Sequence, residues 1–465
     1  MKIIIVGAGI SGLSTAYALL ERDPGLELMV YESSERPGGK IRTDKTPEGF
    51  LCESGVPGFL DNKPKTLELS SGLELSLLRS FDTSRKRYIY SEGRLQRLPE
   101  SPPDFFKSSL LSLPGRLRIL YEIFAPLGKK SDETLAEFAT RRLGREAFEK
   151  LIDPMASGIY AGDATKLSLK SCFPRIHEIE AQYGSLIKGL IKLQAKAKKE
   201  KKTDKPSAAP GGKLTSFADG MQVLISALAI RLGDRLKISM PVVSISRSKE
   251  RYAVHTANGY SEEADQVILA APAHAQAEIL RDIAPEISHM LVEIPYPPVS
   301  VCSLAYRKDK MRHDLDGFGF LIPSKENRKV LGTLWETSIF PNRAPEGYVL
   351  LRSMVGGARN SNLAMLPDEQ VIDLVRAELK DIMNLDADPD FARVYRHEKA
   401  IPQYVVGHAA CLEEIEKTLI KKYPGLILTG NAYKGVSLND CVTNAYGTAE
   451  KLLFNITKPG RFEQT

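Results

Sequence analysis

The chain is poor in cysteine, and its cysteines form no pattern. Five cysteines in 465 residues are scattered, odd in number and never in Cys-x-x-Cys spacing: Cys52, Cys172, Cys302, Cys411 and Cys441. The seven histidines form no metal-spaced pair. This composition argues against a disulfide framework and a zinc site, and it is typical of a reducing compartment. We therefore predict that the protein holds no metal.

Long apolar runs are also absent. No uninterrupted run reaches the roughly 18 residues that a membrane-spanning helix needs. The apolar run at the N-terminus has only about four residues, too few for the core of a signal peptide. The net charge is +6, and no basic stretch is interleaved with aromatic residues as on a nucleic-acid platform. We expect a cytoplasmic protein without a nucleic-acid partner, and any membrane contact should be peripheral.

The most informative pattern lies in the first 43 residues. A short β-branched run, Ile3 to Val6, passes through Gly7-x-Gly9-x-x-Gly12 into a helix-like stretch at 13–21. A second strand-like run at 26–31 leads to Glu32, 20 residues after Gly12. This order predicts a dinucleotide-binding β-α-β unit.

Each residue type in this unit has a physical role. Gly7 allows a tight turn, and Gly9 lets a pyrophosphate approach the backbone. Gly12 lets the helix pack on the strand. The helix N-terminus offers free N–H groups and a positive dipole end to the phosphates. We expect Glu32 to bind ribose hydroxyls. The predicted contacts are Gly7, Ala8, Gly9, Ile10, Ser11, Gly12, Glu32 and Ser33.

The residues after Glu32 favour FAD over NAD. The run Gly38-Gly39-Lys40-Ile41-Arg42-Thr43 contains a double glycine, which lets the backbone pass close to a large cofactor. Arg42 is predicted to pair with a cofactor phosphate. The alternative is a plain glycine turn followed by a solvated arginine.

The middle of the chain changes character. Residues 87–98 are typical of a β-hairpin, and residues 100–195 are mainly helical, with Ser131 as a candidate N-cap. Apolar and basic residues mix between 105 and 128, which predicts either a membrane-surface patch or an ordinary helical core with a basic outer face. The lysine-rich segment 196–213 is predicted to be a solvated linker or a loop that contacts anionic lipid.

The remaining segments return to the nucleotide unit. We expect the strand-like run at 267–272 to rejoin the nucleotide sheet, and residues 276–420 to form a substrate domain. Near the C-terminus, a strand at 425–430 is followed by Lys434 to Asp440 and then by a helix. The N-terminus of that helix would stabilise negative charge on a reduced flavin. The cofactor domain is therefore predicted to be discontinuous.

Taken together, these runs resemble the oxygen-dependent protoporphyrinogen oxidase family, within the flavin amine oxidase superfamily. The cofactor motifs are shared across the superfamily, whereas two other runs are more specific. These are Gly158-Ile159-Tyr160-Ala161-Gly162-Asp163 and Gly435-Val436-Ser437-Leu438-Asn439-Asp440-Cys441. The likeness runs nearly from end to end and includes 317–324, 331–334, 354–357, 401–404 and 407–408.

The resemblance implies an α/β fold of three parts. A discontinuous, Rossmann-like FAD-binding domain would comprise 1–86, 214–275 and 421–465. An inserted, mainly helical domain that binds membrane would cover 87–213. A mixed α+β substrate domain would cover 276–420. The resemblance thus places the protein at the inner face of the cytoplasmic membrane.

It also implies a reaction. The family removes six electrons from protoporphyrinogen IX in three two-electron steps, and the electrons pass through FAD to O2, giving H2O2. No side-chain base stands out in this chain, so no catalytic residue is predicted. Alternatives are oxidation of coproporphyrinogen III, an amine oxidase or carotenoid desaturase, and a non-enzymatic binding protein. The resemblance raises a homodimer and a hand-off of product to a ferrochelatase as partners to be tested.

Site residues follow from the same likeness. The carbonyl of Gly158 would accept a pyrrole N–H, Leu321 and Leu334 would sandwich one pyrrole ring, and Met354 would face another. The further positions that match cofactor contacts are Gly39, Lys40, Gly55, Val56, Pro57, Gly58, Val243, Ala409, Gly430, Val436, Ser437 and Leu438. Many relatives carry arginine, associated with a substrate propionate, where this chain has Pro57. Another cation must therefore replace it, or propionate binding is weaker.

Overall fold

The computed structural model describes residues 1–128, 130–200, 212–248 and 251–457. Most of the lysine-rich segment predicted at 196–213 lies outside these residues. The strands in chain order are β1 (Lys2–Val6), β2 (Glu27–Tyr31), β3 (Thr43–Lys45), β4 (Leu51–Glu53), β5 (Phe59–Leu60), β6 (Leu78–Arg79), β7 (Tyr88–Ser91), β8 (Arg94–Arg97), β9 (Leu214–Ser216), β10 (Leu236–Lys237), β11 (Val242–Ser248), β12 (Arg251–Thr256), β13 (Ser261–Ala264), β14 (Gln266–Leu269), β15 (Val299–Arg307), β16 (Gly319–Leu321), β17 (Val330–Trp335), β18 (Tyr348–Gly356), β19 (Phe391–His397) and β20 (Leu426–Leu428).

The helices connect these strands or cover their sheets. They are α1 (Ile10–Arg22), α2 (Pro64–Gly72), α3 (Pro102–Lys107), α4 (Leu113–Leu120), α5 (Leu135–Leu143), α6 (Arg145–Ala147), α7 (Asp153–Tyr160), α8 (Leu169–Cys172), α9 (Pro174–Tyr183), α10 (Leu186–Glu200), α11 (Gln222–Leu232), α12 (Ala273–Leu280), α13 (Pro285–Val292), α14 (Glu336–Ile339), α15 (Ser361–Ala364), α16 (Asp368–Met383), α17 (His408–Lys422) and α18 (Leu438–Thr457). A π-helical turn, Phe148–Ile152, leads directly into α7.

A five-stranded parallel sheet gathers strands from three distant parts of the chain, in the order β10-β2-β1-β14-β20. The side chains of β1 alternate between two cores. Ile3 and Ile5 pack with α1, α11 and α18, whereas Ile4 and Val6 pack towards α12, α13 and the small antiparallel sheet β11-β12-β13. Because both faces are covered, the four residues of β1 after Lys2 are all apolar, as is typical of a parallel strand.

A seven-stranded mixed sheet has the order β19-β15-β18-β17-β16-β7-β8. One face packs on α16 through residues such as Leu304, Leu351, Val371 and Val375. The hairpin of β7 and β8, which the sequence analysis placed with the helical segment, forms an edge of this sheet. β7 lies parallel to β16, with Ile89 opposite Leu321. Its alternating pattern showed a hairpin but carried no information about its partner strand.

Helices α3 to α10 form the helical segment. Its first long helix, α5, is capped by Thr134 in a capping box with Glu137, not by Ser131 as predicted. The reason is tertiary: the carboxylate of Asp132 accepts from Ser168 Oγ at 2.6 Å and from Gly407 N at 3.0 Å. These bonds hold Asp132 in a bend before Thr134, outside the helix. Among the described residues, no helix is both long enough and apolar enough to cross a bilayer.

Candidate functional site

The glycine loop after β1 has the shape that a dinucleotide requires. Gly7 has φ +104°, and a Cβ there would lie 2.9 Å from Ala271 N. A Cβ on Gly12 would lie 1.9 Å from Gly7 O, so only glycine lets α1 pack against this turn. A Cβ on Gly9 meets no atom within 4 Å. Protein packing therefore explains two of the glycines, and the open space at Gly9 fits a bound pyrophosphate at the start of α1.

Glu32 lies at the end of β2, beside this loop. It is buried, and its carboxylate accepts from Ala8 N at 2.7 Å, Ser34 N at 2.9 Å and Ser33 Oγ at 3.2 Å. The carboxylate therefore joins the glycine loop to the segment after β2. Ionised carboxylate oxygens accept several bonds each, so acceptor capacity remains for ribose hydroxyls.

The double glycine lies against the glycine loop. Gly38 N donates to Ala8 O at 2.8 Å, and a Cβ on Gly39 would be 3.6 Å from Gly9 Cα. Arg36, which the sequence analysis missed, holds this turn by donating to the carbonyls of Gly39, Pro37 and Ile41. Arg42 is exposed. Burial, and to a lesser extent the charge of Arg42, lower the pKa of Arg36. The two guanidinium groups are therefore close enough to interact electrostatically beside the double glycine.

The C-terminal helix meets the N-terminal helix at the same point. Ser437 precedes α18, and its Oγ accepts from Asp440 N at 3.2 Å and donates to Asp440 Oδ2 at 2.6 Å. In the first turn of α18, the Cys441 side chain lies beside Ser11 in the first turn of α1. Two positive helix ends therefore converge beside Gly9, as a flavin nucleotide requires.

Four more predicted cofactor residues surround this junction. Leu438 is buried, and Val436 packs partly against the cluster that contains Tyr160 and Tyr404. Gly430, with φ +124°, begins the turn that follows β20. Ala409 lies half-buried at the start of α17. The next residue back, His408, stacks on Tyr404, whose hydroxyl donates to Asn431 O. Ala409 thus lies near the loop before α18.

A lysine and a histidine with lowered pKa values lie beside the junction. Burial lowers the pKa of the Lys40 ammonium, whose Nζ is 5.8 Å from the ring centroid of Tyr296. Burial, and then the charges of Lys399 and Lys40, lower the pKa of His274 to about 4. His274 is therefore neutral at neutral pH, and its ring packs edge-on against Tyr296. His274 lies on α12 and Tyr296 follows α13, and neither residue was predicted.

Val243 lies at the other end of the nucleotide unit. It sits in a β-bulge of β11 and is 49% exposed. Just before it, Ser239 N and Met240 N donate to Ser34 O and Glu32 O. The structure therefore places Val243 beside the segment that follows Glu32, which is the ribose end of the predicted cofactor site.

The loop of Gly55, Val56, Pro57 and Gly58 joins the cofactor unit to the seven-stranded sheet. A Cβ on Gly58 would be 2.5 Å from Thr215 O. Arg352 on β18 donates from Nη1 to Gly55 O at 2.6 Å, and its Nε lies 2.7 Å from the buried carboxylate of Glu336. Arg352 is 3% exposed. This buried ion pair fixes the loop against one face of the sheet.

That same face carries the predicted substrate residues. Gly332 lies opposite Leu321 on one side and Met354 on the other, whereas Leu334 lies opposite Gly319 and Arg352. Directly opposed residues in antiparallel strands share a face, so Leu321, Leu334, Met354 and Arg352 point the same way. Diagonal neighbours such as Leu321 and Leu334 have a separation of about 7–8 Å. This is about twice a carbon contact distance of ~3.5–4.0 Å, so a flat ring fits between them.

The surroundings of these leucines differ. Leu321 is half-buried, whereas Leu334 is 7% exposed and packs with Ile339 and Phe340. Leu321 also contacts Gly158, because a Cβ on Gly158 would lie 2.8 Å from Leu321 Cδ2. Gly158 is in the last turn of α7, where an α-helix leaves carbonyls without an intrahelical donor. The structure therefore brings all four predicted substrate residues to one region.

Arg87 is a functional candidate that the sequence analysis missed. It immediately precedes β7, and its guanidinium lies over the ring of Phe318 at 5.2 Å. Phe318 packs against the cluster that contains Leu334. Arg87 is exposed, and no carboxylate pairs with it among the residues that the structure describes. No sequence signal marked Arg87, because its neighbours in space lie more than 200 residues away.

The chain was compared with known proteins. A model of the family described as "Flavin containing amine oxidoreductase" matches residues 10–453. The chain is 36% identical over 477 residues to the chloroplastic protoporphyrinogen oxidase of Oryza sativa subsp. japonica, covering 98% of this chain and 88% of that protein. It is 32% identical over 454 residues to the coproporphyrinogen III oxidase of Bacillus subtilis (strain 168), covering 95% of each.

Solved structures show the same architecture. A protein of Exiguobacterium sp. 255-15, provisionally named protoporphyrinogen oxidase, superposes with a TM-score of 0.81 at 26% identity, covering 98% of this chain and 99% of that one. Reduced UDP-galactopyranose mutase superposes with a TM-score of 0.75 at 16% identity, covering 98% and 94%. The second likeness concerns the fold alone.

Proposed function

Because this chain belongs to the family of flavin-containing amine oxidoreductases, it is an FAD-dependent oxidoreductase, and we propose that it oxidises protoporphyrinogen IX to protoporphyrin IX. One observation carries this proposal. The apolar face of Leu321, Leu334 and Met354 is tied by Arg352 to the Gly55 loop of the cofactor unit. An apolar macrocycle would therefore lie directly beside the cofactor.

The reaction balances without a metal or a side-chain base. The substrate loses six electrons and six protons in three steps, and three O2 become three H2O2. FAD, when bound, supplies the redox chemistry by accepting a hydride in each step and returning the electrons to O2. The protein binds and orients the tetrapyrrole. Leu321 and Leu334 hold one ring between them, Met354 faces another, and the Gly158 carbonyl accepts a pyrrole N–H.

The residues that meet the cofactor follow from the same geometry. The loop from Gly7 to Gly12 and the guanidinium groups of Arg36 and Arg42 would hold the diphosphate, and Glu32 would hold a ribose. The first turn of α18 would face the flavin, where the positive end of its dipole stabilises negative charge on the reduced ring. Lys40 lies within the same region and adds a positive charge.

Substrate carboxylates need a cation, since Pro57 supplies none. Arg87 meets the requirements: it is exposed, it has no carboxylate partner among the described residues, and it stacks on Phe318 next to the Leu334 cluster. A guanidinium binds a carboxylate through two parallel N–H bonds. In many relatives, an arginine at the position of Pro57 is associated with a substrate propionate. We assign this propionate contact to Arg87.

Coproporphyrinogen III is the second candidate substrate. The coproporphyrinogen III oxidase of Bacillus subtilis matches this chain over nearly its whole length. That substrate has four propionates, and protoporphyrinogen IX has two. The single unpaired arginine at the described part of this face favours the substrate with fewer carboxylates. An amine oxidase or carotenoid desaturase is less well supported, because Val436, Ser437 and Leu438 offer no aromatic pair to the flavin.

The helical segment supports a peripheral membrane contact. Seven large apolar side chains are exposed between 106 and 127, and these residues are here called the apolar patch: Phe106, Leu113, Leu117, Leu120, Tyr121, Phe124 and Leu127. Helix α10 adds exposed Leu190 and Ile191 between Lys188 and Lys192. The carboxylate of Glu122 accepts from Leu186 N at the start of α10, so the two regions adjoin. Apolar residues flanked by lysine fit an anionic lipid surface.

The decisive experiment is a parallel oxidation assay. Purified, yellow, detergent-solubilised protein receives protoporphyrinogen IX or coproporphyrinogen III, and porphyrin fluorescence and H2O2 are followed together. We expect faster fluorescence from protoporphyrinogen IX with three H2O2 per porphyrin. A preference for coproporphyrinogen III would establish the second candidate. No oxidation of either substrate by FAD-loaded protein would overturn the proposed function. A homodimer and a hand-off to a ferrochelatase stay predictions.

A further inference from the structure

Two runs singled out in the sequence meet in space. One is the run from Gly158 to Asp163 at the end of α7, and the other is Met354 to Gly357 at the end of β18. Ala358 N donates to Ala161 O at 2.8 Å, and a Cβ on Gly357 would be 2.5 Å from that same oxygen. The loop after β18 therefore wraps around the C-terminal end of α7.

Arg359, in that loop, holds both ends of α7. Its Nη2 lies 2.5 Å from Asp153 Oδ1 and 3.3 Å from Asp163 Oδ1. Asp153 is the first residue of α7 and is 1% exposed. Asp163 follows the helix and also accepts from Thr165 N and Thr165 Oγ1. Because a buried carboxylate without a partner is costly, Asp153 depends on this guanidinium.

Asp153 also reaches the sheet. Its Oδ2 accepts from Ser324 N at 2.7 Å, and Ser324 lies three residues after Leu321. The π-helical turn Phe148–Ile152 delivers Asp153 to this position, since an inserted residue rotates the following helix. One carboxylate thus binds the strand end that carries Leu321 and the loop that follows Met354.

The group of Asp153, Asp163 and Arg359 connects three elements that carry proposed substrate contacts: α7, β16 and β18. Gly158 lies on α7, and in the sequence it stands between Asp153 and Asp163. Leu321 precedes Ser324, and Met354 precedes Arg359. Since its guanidinium already serves two carboxylates, Arg359 is not a free cation for a propionate. This distinguishes it from Arg87.

We propose that Arg359 is a positioning residue, which through Asp153 and Asp163 sets the gap between α7 and the sheet in which the tetrapyrrole is held. This proposal rests on the proposed function for its substrate. The quantity that Arg359 would set is the distance between Gly158 and the face of Leu321 and Met354. Loss of the guanidinium releases α7, so substrate is bound less tightly and in a less productive orientation, while FAD binding is unaffected.

The test uses the holoenzyme with three variants. Arg359→Met removes the charge at similar length, Arg359→Lys restores a charge, and Arg376→Met is the control. Arg376 also pairs with two aspartates, Asp373 and Asp388, but on α16, away from the site. We expect Arg359→Met to raise KM for the porphyrinogen by about tenfold to a hundredfold, because misplacements near 1 Å have effects of that size. Its FAD content should stay unchanged, and Arg359→Lys should recover part of the loss.

A second readout needs no substrate. Hydrogen–deuterium exchange of the amides in 153–163 should be faster in Arg359→Met than in wild type or Arg376→Met. If Arg359→Met does not fold, Asp163→Asn replaces it, because this variant keeps the buried pair of Arg359 with Asp153. We then expect a smaller rise in KM and a smaller increase in the exchange rate. Unchanged KM together with unchanged exchange would overturn the proposal. Faster exchange in a protein that oxidises no porphyrinogen would instead refute the proposed function and leave the structural role of Arg359 standing.

Discussion

Gly158 and Leu321 are packed so closely that a methyl group on Gly158 would lie 2.8 Å from Leu321 Cδ2 and 2.9 Å from Cδ1. These residues are 163 positions apart in the chain. Their contact joins α7 to β16, and the proposed macrocycle site begins at this contact. Its consequences, and those of the cofactor loop, the cations and the apolar patch, can be tested separately.

Gly158→Ala should displace the Leu321 side chain into the proposed ring site. We expect a higher KM for the porphyrinogen, a normal FAD content and a loss of stability of about 1–3 kcal/mol, as for other overpacked positions. Steady-state kinetics and thermal unfolding check this. Gly447→Ala is the control, because a Cβ on Gly447 in α18 meets no atom within 4 Å. A normal KM in Gly158→Ala would remove Leu321 from the site.

Gly9→Ala should weaken FAD binding although it creates no clash within the protein. Gly9 has φ −70° and ψ 175°, which alanine adopts freely, and its Cβ position is open. The added methyl group therefore affects only what binds there. We expect the FAD affinity to fall by at least about tenfold, equivalent to ~1.4 kcal/mol, measured by titrating cofactor-free protein with FAD. Unchanged affinity would refute the placement of the pyrophosphate.

Arg87→Met should impair substrate binding and leave FAD in place. A hydrogen-bonded charged group contributes about 1.5–3 kcal/mol, so KM should rise by roughly ten- to a hundredfold, with a smaller change in kcat. Arg94→Met, at the exposed first residue of β8 in the same hairpin, is the matched control. The assay with both porphyrinogens shows whether the effect depends on the number of carboxylates. Equal KM values in the two variants would exclude Arg87 as the propionate contact.

Glu53 should make stability depend on pH. Burial is the main cause that raises the pKa of Glu53 to about 7, and the charge of Glu336 raises it further. Hydrogen bonds from Met221 N and Thr43 Oγ1 and the charge of Arg343 lower this pKa, but by less. An acid whose pKa is raised in the folded state binds its proton more tightly there. Its contribution is therefore present below its ordinary pKa of 4.5 and is lost as pH rises through about 7.

The ionised form costs at most about 3 kcal/mol above that range. Glu53→Gln should therefore gain stability relative to wild type on going from about pH 5 to about pH 8, as measured by thermal unfolding at both values. Glu369→Gln, an exposed substitution on α16, should show no such gain. Parallel pH profiles for wild type and Glu53→Gln would contradict the assignment.

The apolar patch should bind anionic bilayers. Leu117→Glu and Phe124→Glu place charges on side chains that are 56% and 67% exposed, so the fold should tolerate them. We expect both variants to lose sedimentation with vesicles that contain phosphatidylglycerol, because charge opposes insertion of an apolar face. Ile420→Glu, at a residue 74% exposed on α17, is the control. Binding by all variants alike would place the membrane contact elsewhere.

Local patterns determined the cofactor unit. The run of β1, the glycine spacing and the distance to Glu32 lie within about 30 residues, so the sequence alone indicates this unit. The C-terminal helix was also predicted, although α18 begins at Leu438 and not after Asp440. The location of the substrate residues came from the family resemblance, since nothing in their local sequence distinguishes a leucine in a core from one that meets a ligand.

Contacts between distant segments were decided only by the tertiary structure. Ser131 was a reasonable cap, but Asp132 is engaged by Ser168 and Gly407, so α5 begins after Thr134. The hairpin at 88–97 was clear, yet its pairing with β16 depends on a strand more than 200 residues away. Arg87, Arg352 and Arg359 owe their roles to what the fold brings near them: a ring, a loop carbonyl and two carboxylates. A sequence records which side chains are charged, but burial and pairing arise only when the chain is packed.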